Sequence, residues 1–115
     1  MIEVGINLTS VVNIIKFVDD GILIPFENSS GNFLILRNSI DSIMENKAHF
    51  SKSKKLDIYC INESHPLYQE LIYTYKINQV PAILLVKNAV IKEIYESPIT
   101  KSGLINLITK SQTTV

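Results

Sequence analysis

Few side chains in this 115-residue chain have reactive chemistry, and they lie far apart. There is one cysteine, Cys60, and the only histidines are His49 and His65. A lone thiol cannot close an intramolecular disulfide, so a disulfide scaffold and a Cys-rich zinc site are both excluded. Cys60 sits inside the apolar run Leu56-Asp57-Ile58-Tyr59-Cys60-Ile61. Alternation puts Ile58 and Cys60 on one face and Tyr59 and Ile61 on the other. In that setting Cys60 is a small buried apolar residue. As a thiol it would be a redox sensor, forming an intermolecular disulfide or a glutathione adduct. His65 beside Glu63 has the right types for a metal pair, but a surface turn ahead of a helix accounts for both, and no metal is expected. Ser29-Ser30-Gly31-Asn32 is either an anion-binding nest or a plain capping loop, with capping the simpler account. No Gly-rich phosphate motif and no Ser-His-Asp arrangement can be read, and no catalytic residue or cofactor is expected.

Composition narrows the function classes further. Acidic and basic residues balance, so no global field steers the chain toward nucleic acid or an anionic membrane. Arg37 is the sole arginine, which argues against bidentate recognition of phosphates or bases. The longest apolar run, Ala82 to Val86, falls far short of the roughly 20 residues that span a bilayer. No charged leader with an apolar stretch opens the sequence, so a cytoplasmic location is expected. Lys47, Lys52, Lys54 and Lys55 form a local basic run, read as a solvated loop with an acidic docking partner as the alternative. Tyr68, Tyr73 and Tyr75 crowd one segment, and some of them must face outward. Thr113-Thr114-Val115 looks like a C-terminal peptide ligand of very low specificity.

The elements that would position these groups follow from periodicity. Ile2 to Asn7 alternates and predicts a strand. Thr9 or Ser10 caps a helix carrying Val11, Val12, Ile14, Ile15 and Val18. Ile22 to Phe26 predicts a buried strand that Pro25 interrupts, followed by the polar loop Glu27 to Asn32. A long helix starts at Phe33, with Phe33, Leu36, Ile40, Ile43 and Met44 inward, and fades near Phe50. Leu56 to Ile61 predicts a strand, and Pro66 opens a helix with Leu67, Leu71, Ile72 and Tyr75 inward. Ala82 to Lys87 and Val90 to Tyr95 predict a hairpin turning at Asn88-Ala89. A last helix carries Leu104, Ile105 and Ile108, ahead of a polar tail over 111–115. The order is β-α-β-α-β-α-β-β-α in a single domain over 1–110, a layered α/β arrangement.

The stretch Tyr75-Lys76-Ile77-Asn78-Gln79-Val80-Pro81-Ala82-Ile83-Leu84-Leu85-Val86-Lys87-Asn88 resembles the C-terminal half of thioredoxin. Ile6-Asn7-Leu8-Thr9, Gly21 to Phe26 and Asn62-Glu63-Ser64-His65-Pro66 are similar to further family segments, in the right order. The resemblance covers about Ile6 to Ile108 and implies a three-layer α/β/α thioredoxin-like fold, with a mixed central sheet and a C-terminal hairpin. It also implies a cis Val80–Pro81 bond. The family's Trp-Cys-x-x-Cys turn matches Ser29-Ser30-Gly31-Asn32, its buried carboxylate matches Pro25, and the lysine paired with that carboxylate matches Tyr59. A hydroxyl cannot exchange disulfides, so the resemblance implies a redox-inactive relative, not an enzyme. What it retains is the family's peptide face: Ser29, Ser30, Gly31, Asn32, Val80, Pro81 and Ser97 with Pro98. The expected partner is another protein or peptide, with a homodimer as one form of it. The expected roles are adaptor, assembly factor or subunit. The alternatives are a thiol protein working through Cys60, or a module that oligomerises through a helix or sheet edge.

Overall fold

The computed structural model describes residues 2–28, 31–45, 57–96 and 99–111. In chain order the elements are β1 (Ile2–Glu3), α1 (Val11–Val18), β2 (Gly21–Phe26), α2 (Gly31–Glu45), β3 (Asp57–Asn62), α3 (Tyr68–Thr74), β4 (Ala82–Lys87), β5 (Val90–Glu96) and α4 (Lys101–Ser111). They form one mixed sheet in the order β1-β3-β2-β4-β5. The first three strands in that order are parallel, while β4 runs antiparallel to β2, and β5 to β4. β1, β2 and β3 follow one another through α1 and α2 and cross over to lie parallel, whereas the chain leaves α3 reversed, so that β4 runs against β2, and the two-residue turn between β4 and β5 permits only a hairpin.

Alternation along the strands builds two apolar layers. Leu23, Tyr59, Ile61, Leu84 and Val86 face α1 and α3, where Val11, Ile14, Ile15, Val18 and Leu71 meet them. Ile22, Ile24, Ile58, Cys60, Ile83 and Leu85 face α2 and α4, against Leu36, Ile40, Leu104 and Leu107. Burying one such side chain contributes about 1.5–3 kcal/mol, so both faces of the sheet are committed to the core.

Several sequence expectations are corrected here. β1 pairs over only two residues: Val4 still donates its N–H to the Cys60 carbonyl at 2.8 Å, but the chain then turns and leaves Ile6 77% exposed. Ser10 caps α1, its Oγ accepting from the Asn13 N–H at 3.1 Å. Val12 does not join the inward stripe. It is 59% exposed, because Val11, Ile14, Ile15 and Val18 already fill the arc of a short helix. Tyr68 points inward beside Leu71, while Tyr73 takes the outward place. Leu107, which periodicity did not single out, joins Leu104 in the core of α4. α2 begins at Gly31, two residues ahead of Phe33.

Pro25 sits within the central strand without breaking it. Pairing of β2 with β4 stops at Leu23, whereas parallel pairing with β3 continues through Phe26. The strand lacking one donor simply parts from one neighbour before the proline is reached. At the far edge, β5 carries a register shift that leaves the exposed Lys92 without an opposite residue on β4. A bulge and a charge on an edge strand both discourage pairing with another chain.

Candidate partner-binding end of the sheet

Register places four strand ends together. Phe26 closes β2 opposite Asn62 of β3, and Ala82 opens β4 opposite Glu96 of β5. Because β4 runs against β2, its start lies at the same end of the sheet as the finish of β2. Gly31 and Asn32 are exposed there, but in the first turn of α2 and not in a loop as expected. Phe33, one residue on, stacks on Phe26 with ring centroids 3.8 Å apart and planes 10° from parallel. That stack fixes the start of α2 against the end of β2.

Val80 is half-buried against the α1/α3 layer and Pro81 is buried behind it, joined by a cis peptide bond. Among the described residues, no hydrogen bond engages the Val80 backbone. The two residues before it are held. Oε1 of Glu96 accepts the N–H of Asn78 at 2.8 Å and of Gln79 at 2.7 Å. Sequence reading ended its strand at Tyr95 and missed Glu96; a carboxylate at the close of a strand, just before Ser97-Pro98, was the available signal. Ser29, Ser30, Ser97 and Pro98 lie outside the described residues. So do His49, Phe50, the Lys47–Lys55 basic run, Leu56 and the tail 112–115, along with the side chains of Ile43, Met44 and Ile108.

Next to this face, at the ends of β2 and β3, is a second polar cluster that the sequence did not reveal. The buried Asn62 donates its side-chain amide to Oδ1 of Asn28 and accepts the Ser64 N–H at 2.8 Å. Glu63 accepts the Asn28 N–H at 2.9 Å. His65 is not a surface residue: it is 6% exposed. Its Nδ1 accepts the Leu67 N–H at 3.0 Å, so Nε2 carries the proton and donates to the Gly5 carbonyl at 3.0 Å. Both ring nitrogens are therefore occupied by backbone, and Glu63 turns to Asn28 and not to a shared ion. Among the described residues no three potential metal ligands come together.

No protein-family model matches the chain, and no curated protein matches it either. Solved structures do. The thioredoxin Mala s 13 of Malassezia sympodialis covers 98% of this chain and 92% of its own, at 15% identity and a TM-score of 0.69. A mutant thioredoxin of Halobacterium salinarum covers 99% and 92%, at 15% identity and 0.71. Desulfothioredoxin from Desulfovibrio vulgaris covers 95% and 96%, at 11% identity and 0.70. The chain has the thioredoxin fold. Identities this low carry the architecture and nothing of the activity.

Two positions that the family resemblance singled out, Pro25 and Tyr59, lie within this thioredoxin fold on the neighbouring strands β2 and β3. Pro25 has no ionisable side chain. Tyr59 is buried, meets the ring of Phe17 edge-on at 5.3 Å, and has its phenol pushed up, chiefly by burial and then by Asp57. Cys60 sits mid-strand in the α2/α4 layer at 8% exposure, as alternation predicted. Burial first, then Glu3, pushes its thiol above the usual range. The thiolate is the nucleophile, so a thiol held protonated under two helices is poorly placed for exchange.

Proposed function

We propose that this chain is a redox-inactive thioredoxin-fold protein that binds another protein, as adaptor, assembly factor or subunit, through the sheet end carrying Val80. Disulfide exchange on this scaffold needs an attacking thiolate and a resolving thiol. The sequence supplies one cysteine, and it is buried mid-strand. One observation carries the reading: the Val80 backbone makes no hydrogen bond among the described residues, while Gln79 before it and Ala82 beyond Pro81 are fixed. A free N–H and C=O next to the start of a strand can pair with an added strand, giving main-chain affinity without sulfur chemistry. Gly31 and Asn32 at the start of α2 lie at the same end and would form the opposite wall. Ser29, Ser30 and Ser97 belong to the proposed face by the family resemblance alone.

The experiment is affinity capture from the native host with wild type and Val80→Asp, each first shown to be folded by circular dichroism. Wild type is expected to retain a partner that Val80→Asp loses. Equal recovery by the two proteins would exclude this face as the interface.

A further inference from the structure

The backbone between α3 and β4 is anchored at two points. Ile77 is buried and donates its N–H to Ile72 at 3.0 Å, and Ala82 enters the ladder opposite Glu96. Asn78 and Gln79 between them are exposed. Among the described residues, the Glu96 carboxylate alone accepts their N–H groups, at 2.8 and 2.7 Å on one oxygen. Consecutive N–H groups converging on an anion form a concave donor pair of the kind that elsewhere holds phosphate. In this chain its own side chain fills it. Hydrogen bonds to an ionised acceptor are about twice as strong as neutral ones, so this clamp adds to the hold that Ile77 and Pro81 have on the segment.

We propose that Glu96 is the positioning residue of the docking edge: its carboxylate fixes the 78–80 backbone so that the Val80 N–H and C=O face an incoming extended peptide. This assignment rests on the function proposed above and adds the group on which it depends. Glu96 touches the peptide at no point; it acts through the two amides it holds. With the clamp absent, the Asn78 and Gln79 N–H groups turn to water and Val80 samples many orientations. The peptide must then order that segment itself, at a cost in affinity.

The test uses the intact chain and heptapeptides selected by phage display against wild type, kept when their amide shift changes centre on Val80. Glu96→Ala is expected to speed hydrogen exchange at Asn78 and Gln79 and to weaken the peptide, each by roughly tenfold or more. Glu96→Gln retains the side-chain oxygen and is expected to recover most of both, within about threefold of wild type, since its bonds are neutral. Leu104→Ala, destabilising from the other apolar layer, is expected to leave both readouts near wild type. Unchanged exchange or unchanged affinity in Glu96→Ala overturns the assignment. If Leu104→Ala weakens the peptide as much, Glu96 acts only through global stability and the assignment is overturned. A wild-type chain that yields no peptide mapping to Val80 overturns the docking reading itself, a result separable from the variants because it is read on wild type.

Discussion

His65 looks reactive on paper and is structural in the fold. Its imidazole ties the Gly5 carbonyl to the Leu67 N–H, joining the end of β1 to the start of α3. His65→Ala leaves both backbone groups without their partner and opens a void, at a cost of about 2–3 kcal/mol. Urea denaturation should show a lower midpoint with an unchanged slope. The reason this was not legible is distance along the chain. Spacing reveals Pro66 and the coming helix, but Gly5 is 60 residues away. Cys60 was legible because alternation is local. Tyr68 gives a pH signature. Burial, and then Glu27 and Glu63, push its phenol up to about 12 from an ordinary 10. Between those values the unfolded chain has lost the proton and the folded chain keeps it. The unfolded state then binds fewer protons, so stability falls as pH rises through this window and is fully present below it. The loss should be on the order of 1–2 kcal/mol after allowance for solvent screening. Base titration of Tyr68→Phe should show a shallower decline, with Tyr59 and Tyr75, also raised by burial, supplying the remainder.

The β4–β5 hairpin is the best-read element and also contains a flaw. Asn88 and Ala89 both adopt positive φ, 52° and 61°, as a two-residue turn between twisted strands requires. Asparagine tolerates that region; alanine pays about 1 kcal/mol for its Cβ. The turn is nonetheless held from outside: Asn88 donates to Oδ1 of Asp20 at 3.0 Å and Ala89 to the Asp19 carbonyl at 3.1 Å. Ala89→Gly should therefore raise stability by roughly 0.5–1 kcal/mol, seen as a melting temperature a few degrees higher. Gly21 gives the opposite case. A Cβ there would collide with the Asp57 carbonyl oxygen across the β2–β3 pair. Gly21→Ala should cost about 1–3 kcal/mol by the same measurement, because backbone and not a pliable side chain must shift. The strands were legible where both faces are buried, from Ile22 to Ile24 and from Ala82 to Val86. β1 was over-read, since Ile6 continues the alternation while the chain is already turning at Ile6 and Asn7. Helix bounds shifted for a related reason: Gly31 and Asn32 are weak helix formers, so the sequence does not show that α2 has already begun two residues before Phe33.

At the scale of the molecule, the thioredoxin fold was legible because several weak segments stood in the right order, although no one of them decides it. The candidate site was legible only as a location. Val80 and Pro81 were visible; Glu96, Asn28 and Asn62, which shape that end of the sheet, were not, since each acts on a partner distant in sequence. The chain should not reduce insulin disulfides, measured as turbidity against a dithiol control. Native Cys60 should label slowly with a thiol reagent and promptly once urea opens the sheet; rapid native labelling would restore the thiol-based reading. The position of β4 also matters during synthesis. β2 is the middle strand, yet its antiparallel neighbour ends at Lys87, some 60 residues later. A nascent chain leaving the ribosome therefore displays Ile22-Leu23-Ile24 with one side unclaimed for several seconds at ordinary elongation rates. Pro25 lies at the close of that segment. A residue with no amide hydrogen is a poor template for intermolecular strand growth, so the proline that lies just past the end of the β2–β4 ladder also works as a gatekeeper against aggregation before folding is complete.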